Sequence, residues 1–378
     1  MNLSTHPYGV ERVIPKPIPS VLVTVPSIDQ PGGVSQLFQI LRKHLGNQVD
    51  YFEVGSRSEI VGGMKVLFRL ITDYGRFTKT LLAGGHNVVH INPSLLPKAI
   101  VRDGVFLLLS KLLGKRVVVF FHGWDASCEK MIRRYFERIF TWTYFKADAI
   151  LVLANDISAK LISMGYKGAL HVGSTAIDDA MLLECARESC LVKHAQEGRR
   201  FHILFLSRIV KKKGVFEAVD AYWHLRKRYS VATLTIAGDG PDLESVKTYV
   251  QARSIPDVFF AGFVTGRAKT DVFGEADVYL FPSYGEGMPL SVLEAMACGL
   301  PVVTRPVGAL REFFEDKRMG FIVESLAPGD IADALEHLLT NRDLCLSVGK
   351  YNYEYAQKHF SAEGVAQSLM RHYEGVLV

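Results

Sequence analysis

No stretch of the chain is apolar over the roughly 18 consecutive residues that a bilayer-spanning helix needs. The run Val105–Leu109, for instance, stops at Ser110 and Lys111. Cysteine is scarce, with five residues at positions 128, 185, 190, 298 and 345. The count is odd, and Cys185-x4-Cys190 has no second pair at zinc-ligand spacing. A disulfide scaffold and a zinc site are both set aside, and free thiols in a reducing cytoplasm are expected. The N-terminus lacks the charged-then-apolar layout of a secretory leader. Pro7, Pro15, Pro17 and Pro19 instead make residues 1–19 an expected extended arm. There is no short-period repeat and no low-complexity tract.

What is present is a large core and an uneven charge. Hydrophobic residues make up 48% and charged residues 22% of 378. That composition suits a globular chain of two domains. Residues 1–180 hold 21 Lys and Arg against 14 Asp and Glu, and the remainder 23 against 25. The basic first half points to an anionic partner, a membrane surface or a phosphate-bearing acceptor, rather than to nucleic acid.

Short apolar runs alternate with amphipathic stretches. Strands are expected at Val21–Pro26, Val49–Val54, Val88–Ile91, Arg116–Phe121 and Ala149–Leu153, with helices between them near 34–46, 63–82, 97–113, 127–146 and 155–164. Residues 173–200 break the rhythm and read as a connection. Strands then resume at His202–Leu206, Ala232–Ala237, Val258–Ala261, Val278–Phe281, Pro301–Thr304 and Gly320–Val323, again separated by helices. This is an α/β chain of two doubly wound domains with a helical tail. Ligands in such sheets bind beyond the carboxyl ends of the strands, so the loops there carry the chemistry.

Five of those loops stand out. Gly32 and Gly33 open a helix after the first strand, which suits close approach to an anion or a plain tight turn. His122, Trp124 and Asp125 follow an apolar strand; His122 suits a sugar hydroxyl or a helix cap, and Trp124 a sugar face. Arg208 and Lys213 flank a loop feeding a helix, where two cations suit a diphosphate or simply face water. Gly238-Asp239-Gly240-Pro241 lacks the third glycine of a dinucleotide fingerprint. Last comes Tyr284-Gly285-Glu286-Gly287-Met288-Pro289-Leu290. Pro289 is the expected first residue of a helix running to Ala297. Its free amides, from Gly287 to Ser291, face the cleft. Glu286 precedes that helix and Glu294 lies two turns on, among apolar residues where a lone charge is costly. Carboxylates take vicinal diols well. The implied ligand has hydroxyls at both ends and an anion between them, as a sugar nucleotide does.

These residues resemble a known family. EGMPLSVLE looks like the E-x7-E motif of retaining glycosyltransferases of the GT-B fold, family GT4 (glycosyltransferase group 1). SRIVKKKG is similar to that family's loop, with Ser207 where a glycine is usual, and PGGV and HG stand at the corresponding N-terminal positions. The resemblance implies two Rossmann-like domains facing a cleft. Residues 20–180 would bind the acceptor and 181–360 the nucleotide sugar, with 361–378 a helix crossing back to the first domain. It implies that Arg208 and Lys213 hold the donor diphosphate and that Glu294 takes the ribose. Glu286 and the backbone from Gly287 through Met288 and Pro289 to Leu290 would surround the sugar. Gly33 would cover the phosphates, His122 would line the reacting centre, and Phe263 and Val264 would meet the base.

The activity implied is a hexosyl transfer with retention, without cofactor. UDP-glucose is the expected donor, on family frequency, and a glycan or lipid-linked acceptor the expected partner in envelope polysaccharide or glycoconjugate synthesis. GDP-mannose is the rival donor, and a UDP-sugar epimerase or a non-catalytic binding subunit are the rival classes. No D-x-D motif is present, so no metal is expected. The stretches Glu129–Lys146 and Met64–Lys79 interleave basic and aromatic residues. Either they are ordinary packing helices or they lie on the inner face of the plasma membrane.

Overall fold

The computed structural model describes residues 18–27, 32–55, 64–124, 126–187 and 200–378. The expected arm and Asp125 therefore fall outside the described residues, apart from positions 18 and 19. Two six-stranded sheets organise the chain. The first contains β1 (Val21–Val25), β2 (Val49–Glu53), β3 (Val88–Ile91), β4 (Arg116–Phe121), β5 (Ala149–Val152) and β6 (Ala169–Val172), in the order β2-β1-β3-β4-β5-β6. The second contains β7 (Phe201–Leu206), β8 (Ala232–Ala237), β9 (Val258–Gly262), β10 (Val278–Phe281), β11 (Val302–Thr304) and β12 (Gly320–Ile322), in the order β12-β11-β10-β7-β8-β9. Every pairing is parallel.

Parallel strands are covered on both faces, and their sequences show it. VLVTV in β1, AILV in β5 and ATLTIA in β8 are buried throughout. Each sheet reverses its winding once, between β1 and β3 and between β7 and β10. Those two switch points lie where the loops singled out above emerge.

Three sequence expectations are corrected. The strand β6 was not anticipated; its four residues, ALHV, are largely open to solvent at the sheet edge and too short a run to stand out. Residues 173–200 are more than a connection: helix Asp179–Arg187 forms there and packs Met181, Leu182 and Cys185 into the second core. And Cys185 is not a free thiol. It is bonded to Cys298, with Cα atoms 5.0 Å apart, across a sequence separation of 113 that no spacing rule could reveal.

The C-terminal region ties the halves together. Helix Arg342–Phe360 packs on helix Leu290–Ala297 of the second domain, anchored by buried Asn352, whose amide donates to the Leu300 and Met319 carbonyls. Helix Ala362–Gly375 then packs against helix Gly33–Leu45 of the first domain, burying Val365, Leu369 and Tyr373. Where the chain crosses, Ile177 N–H donates to the Phe360 carbonyl at 2.8 Å. Among the described residues no helix is long and apolar enough to cross a membrane.

Candidate active site

The exits of β7 and β10 bring one expected cation and a carboxylate together. Lys213 ends a single turn, Lys211–Lys213, and its Nζ lies 2.6 and 2.7 Å from the two Glu286 carboxylate oxygens. The Ser283 hydroxyl donates to the same carboxylate at 2.6 Å. Gly214 follows Lys213 with φ +80, and a side chain there would meet the Pro282 carbonyl at 2.2 Å. Glycine is thus what lets the Lys213 loop lie against the Glu286 loop. Arg208 stands at the start of the same loop and is exposed.

The Gly238–Pro241 turn, set aside as a dinucleotide fingerprint, is a buttress for that loop. Ile209 N–H donates to the Asp239 carbonyl at 2.9 Å, and Lys211 N–H to the Asp242 carboxylate at 2.7 Å. A side chain at Gly240 would collide with the Ile209 carbonyl at 2.3 Å.

Helix Leu290–Ala297 begins one residue later than expected. Pro289 is its cap, with ψ 106, and its carbonyl accepts from Val292 N–H at 3.0 Å. Glu294 is 5% exposed and ion-paired with Lys269 on helix Gly266–Glu275. Burial raises its pKa, and the Lys269 ammonium opposes that rise. Phe263, after β9, is 70% exposed, and Val264 beside it is half-buried.

Across the cleft, His122 follows β4. Its Nε2 lies 2.7 Å from Asn92 Oδ1, and His90 Nε2 lies 3.0 Å from the same oxygen. The Asn92 Nδ2 donates to the Thr24 carbonyl at 2.8 Å, which fixes the amide orientation. Both imidazoles must therefore carry their proton on Nε2. His90 Nδ1 accepts from the Tyr373 hydroxyl at 2.6 Å, and His122 Nδ1 is left as an acceptor. Burial lowers the pKa of each ring to about 3, so both are neutral.

The two domains touch at this point. A side chain at Gly287 would lie 2.2 Å from the His122 carbonyl and 3.0 Å from Gly123 Cα. A side chain at Gly308 would lie 2.1 Å from the Gly287 carbonyl. Backbone from β4, β10 and β11 thus converges within van der Waals contact.

Residues 187–355 match the family described as Glycosyl transferases group 1. This part of the chain, somewhat under half of it, is similar to a group 1 glycosyltransferase domain. A D-inositol 3-phosphate glycosyltransferase of Paenarthrobacter aurescens (strain TC1) is 40% identical over 146 residues, which are 36% of this chain and 35% of that protein. A GDP-mannose-dependent alpha-(1-6)-phosphatidylinositol monomannoside mannosyltransferase of Mycobacterium tuberculosis is 29% identical over 187 residues, 47% of this chain and 49% of that protein. The matches thus span at most about half of these relatives. The fold as a whole resembles Anabaena Alr3699/HepE, solved with UDP and glucose, at TM-score 0.72 and 17% identity over 93% of this chain and 98% of that one. The architecture is the two-domain GT-B fold.

In the second domain, Lys213 and Glu286 meet at the switch point, Arg208 and Gly287 stand on the same two loops and Leu290 opens the helix that follows, and the His122 backbone meets Gly287 from the other domain. Glu294 and Phe263 lie further toward β9. The Met288 side chain lies in the domain interface, which leaves the expected role of its backbone amide untouched. Its sulfur accepts from Thr175 N–H at 3.4 Å, and it packs against all three hydrophobic clusters. The Trp124 indole is held in place: it donates to Glu129 at 3.0 Å and makes T-shaped contacts with Phe121 and Phe140. At Gly33 a side chain would meet nothing within 4 Å, so the protein fold itself does not demand glycine there. Sequence reading missed Lys269, Ser283, Asn92 and His90. The lone Glu294 in an apolar helix was the one signal that a buried cation had to exist.

Proposed function

We propose that the whole chain is a retaining hexosyltransferase that moves a hexose from a nucleoside diphosphate to a glycan or lipid-linked glycan acceptor. UDP-glucose is the donor to test first and GDP-mannose the rival, the former in keeping with the UDP and glucose bound by the structural neighbour and the latter with the name of the mycobacterial relative. The observation that carries the reading is the Lys213–Glu286 pair at the β7/β10 switch point, set against His122 of the facing domain.

In this reading the base rests on Phe263 and Val264 and the ribose hydroxyls reach Glu294. The diphosphate draws Lys213 and Arg208 to itself, with the amides of Gly287 and Leu290 at the helix N-terminus. Lys213 leaving Glu286 frees a carboxylate for the sugar hydroxyls, so phosphate binding prepares the sugar site. The C1–O bond to phosphate breaks as the acceptor oxygen bonds to the same face of C1. The acceptor proton passes to the departing phosphate oxygen, and the fixed cations and amides hold its negative charge. His122 stays neutral and offers Nδ1 to a sugar hydroxyl. No metal is assigned a step. A screen of nucleotide sugars, following nucleotide release and anomeric configuration, tests this. Inverted product or release from no nucleotide sugar would sink it, and an acceptor-free sugar isomer would favour the epimerase.

A membrane partner is favoured by one further observation. Between positions 132 and 144 two apolar stripes run along the chain. Ile132, Phe140 and Tyr144 are buried, whereas Tyr135, Ile139 and Trp142 are 68%, 52% and 61% exposed beside exposed Arg134 and Arg138. Core packing accounts for the first stripe only. The second suits an anionic bilayer on the cytoplasmic face. Sedimentation with anionic vesicles that neither fades with salt nor weakens on Trp142→Ser would count against it.

A further inference from the structure

Arg305 follows β11 and is 4% exposed, yet Nε, Nη1 and Nη2 are each buried without a hydrogen-bond partner. Its guanidinium carbon sits 4.5 Å from the centroid of the Tyr284 ring. The Tyr284 hydroxyl is bound to Glu217, whose second oxygen, Oε2, is also buried and unpartnered. The bond to Glu217 raises the Tyr284 pKa, and Arg305, by approaching the same hydroxyl and by its charge, works against that rise. A ring face is weak compensation for a guanidinium stripped of water. A planar fork of five N–H groups that has only the nearby Tyr284 hydroxyl and ring, and no acceptor within hydrogen-bond distance, marks a place for an anion.

Strand order says which end of a ligand would reach it. Across the second sheet the order is β11, β10, β7, β8, β9. With the base proposed after β9 and the diphosphate at the β7/β10 exits, the donor sugar extends toward β11. The Arg305 loop is stitched to the sugar-side residues: Ala309 N–H donates to the Gly287 carbonyl at 2.8 Å, and Gly308 lies against the Glu286 and Gly287 carbonyls. Tyr284, 48% exposed, is the cover between Arg305 and solvent.

We infer that Arg305 is a specificity residue for a carboxylate on the transferred sugar, which makes the donor a nucleoside diphosphate hexuronate rather than the neutral hexose. The inference rests on the nucleotide-sugar reading and replaces its neutral hexose with the uronate. The C6 carboxylate would take two N–H bonds from the fork as Tyr284 swings aside, and the neutral hydroxymethyl of glucose offers no such pair.

Calorimetric titration of the full chain with UDP, UDP-glucose and UDP-glucuronate tests it, with the matching GDP, GDP-mannose and GDP-mannuronate series if UDP does not bind. The expected result is at least tenfold tighter binding of the hexuronate than of the hexose. Arg305→Gln should abolish that preference and leave the bare diphosphate unchanged. Equal affinity of the wild type for both sugars overturns the inference while leaving the nucleotide reading intact. Absence of binding by either diphosphate overturns both. Inorganic phosphate or inositol phosphate bound through Arg305, with no hexuronate preference, would move the anion to the acceptor and overturn the donor assignment. Thermal unfolding gives a readout without ligand. Arg305→Met should match or exceed the wild-type midpoint, because an unpaired buried cation is removed. A large drop would mean that Arg305 is neutralised internally by Glu217, which also overturns the inference.

Discussion

Glu286 and Glu294 each already hold a lysine, and the two pairs are similarly deep. The lysine side chains are 20% and 17% exposed and the carboxylates 10% and 6%. Either Glu→Gln change leaves a largely buried ammonium without its counter-charge, and each is predicted to cost about 3 kcal/mol of stability. Glu286→Gln is also predicted to slow transfer roughly 10²-fold. Urea unfolding beside kinetics of the two variants checks this, and equal losses of turnover would contradict it. Acid should unfold the protein for a related reason. His90 and His122 bind a proton near pH 6.5 when unfolded but only near 3 when folded. Between those values the unfolded chain carries more protons, so stability falls as pH falls, by up to about 1.4 kcal/mol per pH unit for each ring. Above pH 6.5 the effect vanishes. A flat unfolding free energy from pH 6.5 to 4.5 would refute it. Arg208, Lys213, Glu286 and His122 were legible in the sequence because they stand in loops after apolar strands. Their partners were not: Asn92 meets His122 from 30 positions away, and Lys213 meets Glu286 across 73.

At the scale of elements, runs of valine and isoleucine made the central strands legible, and the exposed edge strand β6 was silent for want of them. The crossing helix illustrates what sequence conceals. Its Tyr373 is fully buried and reaches His90, and through Asn92 it reaches His122. Tyr373→Phe removes the proton that His90 Nδ1 accepts. It is predicted to cost about 1–3 kcal/mol, the usual penalty for a buried acceptor left unsatisfied. It should also loosen the Nε2–H tautomer of both rings. Nitrogen chemical shifts of the imidazoles report the tautomer directly, and unchanged shifts in the variant would show that the helix does not set it.

For the molecule as a whole, alternation of strand and helix made the two-domain class legible, but not how the domains meet. That contact depends on backbone approach and on side chains serving both halves. Met288 packs in every core cluster, and Glu312 of the second domain binds the exposed start of helix Asn155–Ser163 in the first. Gly287→Ala places a methyl 2.2 Å from the His122 carbonyl and is predicted to hold the halves apart. Nucleotide affinity should stay within about threefold while transfer falls by roughly 10²-fold, in line with the sensitivity of catalysis to ångström misplacement. Small-angle scattering should show a larger radius. A compact, fully active variant would refute it.

The chain passes between the domains twice, and the two passes are bonded to each other. Ile177 N–H holds the Phe360 carbonyl, and Ala362 N–H holds the Asp179 carboxylate at 2.9 Å. A single linker would be a swivel, free to twist and slide. Two linkers pinned side by side are a door hinge with its axis at Ile177 and Ser361. Opening then becomes one angle, and every distance across the cleft is tied to every other through that angle.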